Sequence, residues 1–388
     1  MKVISWDRNV TYGILYCKNF IQYYTYLIYS IIYYNHMGIR TIQKLYLDHQ
    51  YFSETVWFLY ADKEDCIVTR TIHNTTWHAY YSTIKWHKIS NNRKQQLDAL
   101  AVAPSRTHVR YHPDHTAHLQ AVATDQQWNT QYIYHPEWTR TREHIKQLHL
   151  YRFWKKLENV RQWYSAHLQP KSENMSMATL LCVLDNTGMR AGNMSAYSEH
   201  GTSWITTIPL DAISIHWPKV YINILWKSEQ ELSYTLKYPG LKPLIKKLRA
   251  KWEFVFDETP SQVQSQLDTL TWWWHSIKDF RTWRINTLAV DTIRNQAPET
   301  ITDFLDRVTQ YSQNTPSIAQ SHYIYDGLTD IVRSDAISRF KSTYRWTKPT
   351  KSLEQSEHIL LKYMKQEVEK FSWISLNLTR FSATQKEK

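Results

Sequence analysis

The apolar periodicity of this 388-residue chain changes near residue 140, and that change constrains its fold more than any other feature. Residues 41–140 carry short β-favouring runs, "ETVWFLYA", "DCIVTRTI", "THVRYH", "HLQAVAT" and "TQYIYH", separated by polar turns. Such runs predict a β-rich domain of short strands. From residue 141 the spacing lengthens: Ile145, Leu148, Trp154, Leu157, Val160 and Trp163 recur with a helical period, and "MATLLCVLDNTGM" follows as an apolar helix. Between residues 204 and 237 the runs "WITTI", "AISIHW", "KVYINIL" and "ELSYTL" predict a small antiparallel sheet with turns near Asp211, Pro218 and Ser228. Helical patterns return in "LKPLIKKLRAKW", "IKDFRTWRINTLAVDTI", "ETITDFLDRVTQYS" and a lysine-rich segment within 353–373. The expected fold class is α+β: a β-rich N-terminal domain over 41–140, then a mostly α-helical domain with a small antiparallel sheet over 141–340. An extension of unassigned role over 1–40 precedes them, and a lysine-rich helix and tail over 341–388 follows.

Charge narrows the choice of partner. Lysine and arginine number 47 against 35 aspartates and glutamates, a formal net charge of +12. Such an excess suits a polyanion, either nucleic acid or an anionic membrane surface. The most apolar early stretch, "FIQYYTYLIYSIIYY" at 20–34, is shorter than the roughly 20 residues of a membrane span and is interrupted by tyrosine hydroxyls. No membrane partner is expected. The three cysteines, Cys17, Cys66 and Cys182, are odd in number and far apart, which indicates neither a disulfide framework nor a CxxC metal site and fits a reducing, cytoplasmic location. Seven glycines are few for this length, so most tight turns must be made by other residues. The "WWW" triplet at 272–274 reads as core.

Three short stretches of the second domain hold cations that can serve one phosphate. Arg190 closes an apolar helix in "NTGMRAGN", Lys227 sits at a strand end in "ILWKSEQE", and Lys278 and Arg281 open a helix in "IKDFRTW". Downstream, "NTPSIAQSHYIY" places Asn314 nine residues before Tyr323, with Tyr325 two further on. Among 27 tyrosines a single one is unremarkable, so its surroundings must carry the argument.

This series resembles the catalytic domain of type IB DNA topoisomerases, especially the compact poxvirus and bacterial branch. "EHGTSWITTI" is similar to the segment that leads that family into a Thr-Thr strand, and "NTPSIAQSHYI" to the segment around its nucleophile. Upstream, "LDALAVAP", "HLQA" and "QYIYHPEW" resemble a stretch of the bacterial amino-terminal domain, so the likeness covers roughly residues 97–335. The resemblance implies a monomeric two-domain clamp on duplex DNA, associated with a nucleoid or viral DNA, that relaxes supercoils without ATP, metal or other cofactor. It implies Tyr323 as nucleophile, since Tyr325 misses the family spacing. Arg190 and Arg281 would neutralise the nonbridging oxygens, Lys227 would be the general acid to the 5′ oxygen, and Asn314 would donate a hydrogen bond. Lys278, Gln120, His118 and Thr206 would contact DNA.

The chemistry suits these residue types. A guanidinium is planar, permanently charged and bidentate, and so matches a phosphoryl centre that gains charge in its transition state. A lysine crowded by other cations loses its proton more readily, as a general acid must. Tyrosine recombinases share the catalytic fold but usually carry His-x-x-Arg where this chain has Lys278 and Arg281, and Leu-Gly-His where it has Ser312, Gln313 and Asn314. A site-specific recombinase and a non-catalytic DNA-binding clamp remain the alternatives. Departures from the family pattern are Trp226 where glycine is usual, Ala196 where tyrosine is usual with Tyr197 shifted by one, and Arg284 in place of a small residue. The neutral stretch "TDQQWNTQYIYH" also stands where a basic cluster is expected.

Overall fold

The computed structural model describes residues 44–55, 58–72, 79–82, 89–169, 171–192, 197–198, 203–216, 219–226, 230–236, 254–272, 275–310 and 314–367. These form two compact units, one ending at His149 and the other beginning at Leu150. The class is α+β, with antiparallel sheets and a helical C-terminal half.

The first unit is built on a five-stranded antiparallel sheet of order β2-β1-β3-β4-β5. Its strands are β1 Val68–Ile72, β2 Ala79–Ser82, β3 Thr107–Tyr111, β4 Leu119–Thr124 and β5 Thr130–Tyr134. Residues 119–123 of β4 are all buried, because both faces of that strand meet apolar side chains. Ala121 and Ala123 pack with Val68, Leu97, Val109 and Tyr111, while Leu119 and Val122 pack with Ala61, Cys66 and Ala117. A register shift between Leu119 and Ala121 lets Leu119 share a face with Val122 despite their odd spacing.

The run "ETVWFLYA" departs from the strand expected of it. Helix His49–Thr55 takes its start, with Phe52 buried against Trp138, and only Leu59 makes a single bridge, to Ala117. The indole N–H of Trp138 donates to Ser53 Oγ at 3.0 Å, which gives this short helix a fixed neighbour. A second helix, Asn91–Asp98, also lies within the β-rich region; Ser90 caps it by accepting from Arg93 N, and Leu97 is its buried anchor.

The second unit surrounds helix Ile277–Asn295, whose Phe280, Trp283, Ala289, Val290 and Ile293 are buried. Helix Met175–Thr187 is apolar nearly all round and correspondingly enclosed. A three-stranded antiparallel sheet, β6 Ile213–His216, β7 Lys219–Trp226 and β8 Gln230–Leu236, has the order β6-β7-β8. "WITTI" is a 3-10 turn, Ile205–Thr207, rather than a strand. Thr207 Oγ1 bonds locally, accepting from Trp204 N, while Thr206 Oγ1 donates to the more distant Gly192 O.

One buried ion cluster ties the helix over residues 355–367 to this unit. Arg161 donates to Asp185 Oδ2 at 2.7 Å and to Glu357 Oε1 at 2.7 Å, while the Trp283 indole also donates to Glu357 Oε1 at 2.7 Å. Tyr164 donates its phenol to Asp185 at 2.9 Å. Burial opposes the charge on Glu357, but bonds from Arg161 and Trp283 outweigh it and hold the carboxyl below its ordinary value. A depressed carboxylate stabilises the fold fully above its unfolded pKa, and that contribution is lost as pH falls through the folded one. Glu357→Gln should lower unfolding free energy at pH 7 by about 3–5 kcal/mol in urea titrations, with the gap to the parent closing below about pH 4.

Candidate active site

Gly188 sets the geometry. It ends helix Met175–Thr187 in the left-handed conformation, at φ 63°. A Cβ at this position would stand 3.2 Å from both Arg281 Cα and Arg284 Cβ. The glycine therefore lets one helix end abut the backbone of another, and its carbonyl accepts from Arg281 Nη1 at 3.0 Å. Arg190 follows two residues later, fixed through its own carbonyl, which accepts from Ile205 N at 2.9 Å.

Arg190 reaches across to the segment before Tyr323. Its Nη2 donates to Asn314 Oδ1 at 2.6 Å. Because a guanidinium only donates, that contact fixes which end of the amide is oxygen and leaves Asn314 Nδ2 as a donor, enclosed and without a hydrogen-bond partner among the described residues. Helix Pro316–His322 starts immediately afterwards, with Thr315 as its cap and Pro316 in its first turn, and ends at Tyr323.

Tyr323 is half-buried. The Arg281 guanidinium lies 5.4 Å from its ring centre and Lys278 Nζ 5.6 Å from it, since a three-residue spacing puts both on one face of their helix. Arg281 is only 3% exposed. Burial first, and then the like charge of Arg190, lower its pKa to about 10, while Tyr323 and Tyr234 pull it the other way. A buried cation close to a second, partly exposed one is an arrangement that an anion would relieve.

Asn286, fully buried one turn and a half beyond Arg281, was not singled out by the sequence reading. Its Nδ2 donates to Tyr323 O at 2.8 Å and its Oδ1 accepts from Tyr325 N at 2.7 Å, so one carboxamide holds the chain on both sides of Ile324. The signal available was an amide on an otherwise enclosed stretch, between Ile285 and Thr287. Tyr325 itself is buried and packs edge-on against Tyr363 at 5.8 Å, and burial raises its phenol pKa far above the usual range.

Other sequence candidates stand elsewhere. Lys227, directly after β7, lies outside the described residues, as do Ala196 and the extension over 1–40. Thr206 is buried and bonded to Gly192 O at 2.5 Å. His118 and Gln120 correct the expectation of groove-facing side chains, since both are buried in the first unit. His118 Nδ1 accepts from Ala61 N at 3.2 Å under the stacked ring of Tyr60, and Gln120 Nε2 donates to Ala117 O at 2.6 Å. Gln120 thus holds the loop before β4, and His118, just ahead of that strand, holds the segment before β1. Trp272 is another correction: it is 72% exposed, in the left-handed conformation at the helix end, rather than core. Arg284, crowded beside Gly188, turns to Glu354 at 3.6 Å.

A tyrosine held among arginines and a lysine, on a chain with a large positive excess, suits a phosphodiester partner, and comparison with known families points the same way. Residues 137–326, a little under half of the chain, match the family model of the eukaryotic DNA topoisomerase I catalytic core. This segment is thus similar to the catalytic core of enzymes that act on DNA. No curated protein matches the chain. Among the described residues no helix is long and apolar enough to cross a membrane.

Asn286→Ala would leave a carbonyl and an N–H flanking Ile324 without their buried partner. We expect it to cost about 2–4 kcal/mol of stability in thermal or urea unfolding, since each orphaned group costs ~1–3 kcal/mol. At temperatures where the variant remains folded, covalent capture of DNA on a denaturing gel should fall at least about tenfold.

Proposed function

We propose that the chain relaxes supercoiled duplex DNA by cleaving and resealing one strand through a tyrosine adduct. The Tyr323 hydroxyl oxygen attacks the scissile phosphorus. A phosphotyrosyl bond to the 3′ side forms as the bond to the 5′ oxygen breaks, the tyrosine loses its proton to solvent or a nearby base, and the departing oxygen gains one. The new linkage conserves the energy of the old, so strand rotation and resealing need neither ATP nor metal.

The observation that carries this reading is the grouping around Tyr323: Arg281 and Lys278 beside its ring, with Arg190 bonded to Asn314 nine residues earlier. In it Arg190 and Arg281 neutralise the charge growing on the nonbridging oxygens, and Asn314 donates its free N–H to one of them. Lys227 supplies the proton to the 5′ oxygen, and Lys278 contacts the DNA strand. Asn314, where some topoisomerases have histidine, supports placement with the compact branch. The protein acts as a monomer, which separates it from recombinases that assemble on paired sites.

The decisive experiment is relaxation of a supercoiled plasmid in excess EDTA without nucleotide. The parent protein and Tyr325→Phe should relax it, and Tyr323→Phe should not. Arg190→Ala and Arg281→Ala should each slow cleavage by about 10²–10³-fold, the loss typical of one oxyanion-stabilising group. A parent protein that binds the plasmid and leaves it supercoiled would overturn the proposal in favour of a non-catalytic binder.

A further inference from the structure

β8 is half a core strand. Its Leu232, Tyr234 and Leu236 are buried while Ser233 and Thr235 between them are exposed, the period-two pattern of a sheet with one covered face. Tyr234 pairs with Ile222 of β7, itself fully buried. At such a position an apolar ring would complete the packing, and Tyr234 adds a hydroxyl to it. That hydroxyl is enclosed, the residue being 8% exposed, and has no hydrogen-bond partner among the described residues. An unpaired buried hydroxyl is destabilising, because the water it gave up is not replaced.

Among the described residues, the charged groups that act on this phenol are the two arginines of the site. Burial pushes its pKa up to about 12, while Arg281 and Arg190 work in the opposite sense, and Tyr234 in turn acts on Arg281. A phenol so placed stays protonated and remains a neutral donor at any ordinary working pH. Asn314 Nδ2 is a second enclosed donor without a hydrogen-bond partner among the described residues, on an amide bonded to Arg190. Two guanidinium groups and two free donors share one requirement, which is an anion with several acceptor oxygens. A phosphodiester supplies this: each nonbridging oxygen accepts more than one hydrogen bond.

We propose that Tyr234 is a further substrate-binding residue of this site, donating its hydroxyl hydrogen to a nonbridging oxygen of the scissile phosphate. This rests on the reading of Arg190, Arg281 and Tyr323 as the site of strand cleavage, and extends it to a residue on the sheet. Neither of its hydrogen-bonding partners in the reaction changes covalently: the phenol keeps its proton, and the bond strengthens as the phosphoryl oxygens gain charge. Its role is therefore in the transition state more than in DNA affinity.

The test compares the parent protein, Tyr234→Phe and Tyr323→Phe in single-turnover cleavage of a duplex oligonucleotide. Tyr234→Phe keeps the ring and removes only the unpaired hydroxyl, so its melting temperature should be unchanged or higher. Its cleavage rate should fall about tenfold to a hundredfold with DNA affinity nearly unchanged, the loss expected for one bond to a charged acceptor. The same pair is then compared on two duplexes whose scissile phosphate carries methyl in place of one or the other nonbridging oxygen. The ratio of parent to Tyr234→Phe should collapse towards one on a single diastereomer, the one lacking the acceptor, as a double-mutant cycle requires. Equal cleavage by parent and Tyr234→Phe overturns the Tyr234 assignment while the cleavage reading stands. An equal rate loss on the natural duplex and both methylated duplexes also overturns it, making the hydroxyl a packing element. A parent protein that forms no covalent adduct, like Tyr323→Phe, overturns the cleavage reading and the Tyr234 assignment together.

Discussion

A buried guanidinium held close to a second, partly exposed one is the constraint on which the second unit depends. Arg281 is almost wholly buried and its charge is opposed both by that burial and by Arg190. Like charges brought together out of water repel, and a chain free to rearrange would separate them. The surrounding structure removes that freedom. Gly188 permits a helix end to approach Arg281 at backbone distance and gives its carbonyl to one guanidinium nitrogen. Asn314 takes a hydrogen bond from Arg190. The repulsion that remains would be relieved by an anion placed between the two groups, as the proposed function requires.

The same unit contains the opposite solution to buried charge. Arg161 meets Asp185 and Glu357 with short, well-aligned bonds, and Trp283 and Tyr164 fill the remaining acceptor sites. Nothing there is left unpaired for a ligand, so the cluster reads as scaffold: it anchors the helix over 355–367 to the helix that bears Arg281. Two enclosed polar groups without a hydrogen-bond partner among the described residues, the Tyr234 hydroxyl and Asn314 Nδ2, distinguish the site from this scaffold. Tyr234 falls on the unsatisfied side. Tyr325, packed against Tyr363 and held by its N–H to Asn286, falls on the other.

Much of the fold was readable along the chain. The strands β1 and β3 to β5 fall within the β-favouring runs, and the apolar helices appear at their predicted spacing, because those patterns follow from which side chains must leave water. The misses have local causes. "WITTI" has strand composition, yet its Thr207 hydroxyl bonds to nearby backbone and closes a 3-10 turn. "ETVWFLYA" begins as a helix because Phe52 and Ser53 meet Trp138, a residue 85 positions away from Ser53. Gln120 and His118 look like groove-reading residues on a half-exposed strand, whereas β4 is covered on both faces, Gln120 bonds the loop before it and His118 bonds the segment before β1.

The site divides along the same line. The likeness of its motifs to the type IB topoisomerases singles out Arg190, Lys278, Arg281, Asn314 and Tyr323, residue types that suit phosphodiester chemistry because it calls for permanent cations and a nucleophile. Sequence order also separated Tyr323 from Tyr325, a distinction that matches the half-buried setting of one and the enclosed setting of the other. Asn286 and Tyr234 were not visible in this way. An amide within a helix and a tyrosine within a strand are ordinary in a sequence, and their meaning lies in which buried groups they face. The chain's sequence determined the chemical inventory and the periodicities that build its elements. Tertiary structure alone decided which polar atoms found partners and which were left facing the arginines, because hydrogen-bond satisfaction is a property of three-dimensional neighbours and has no counterpart in residue order.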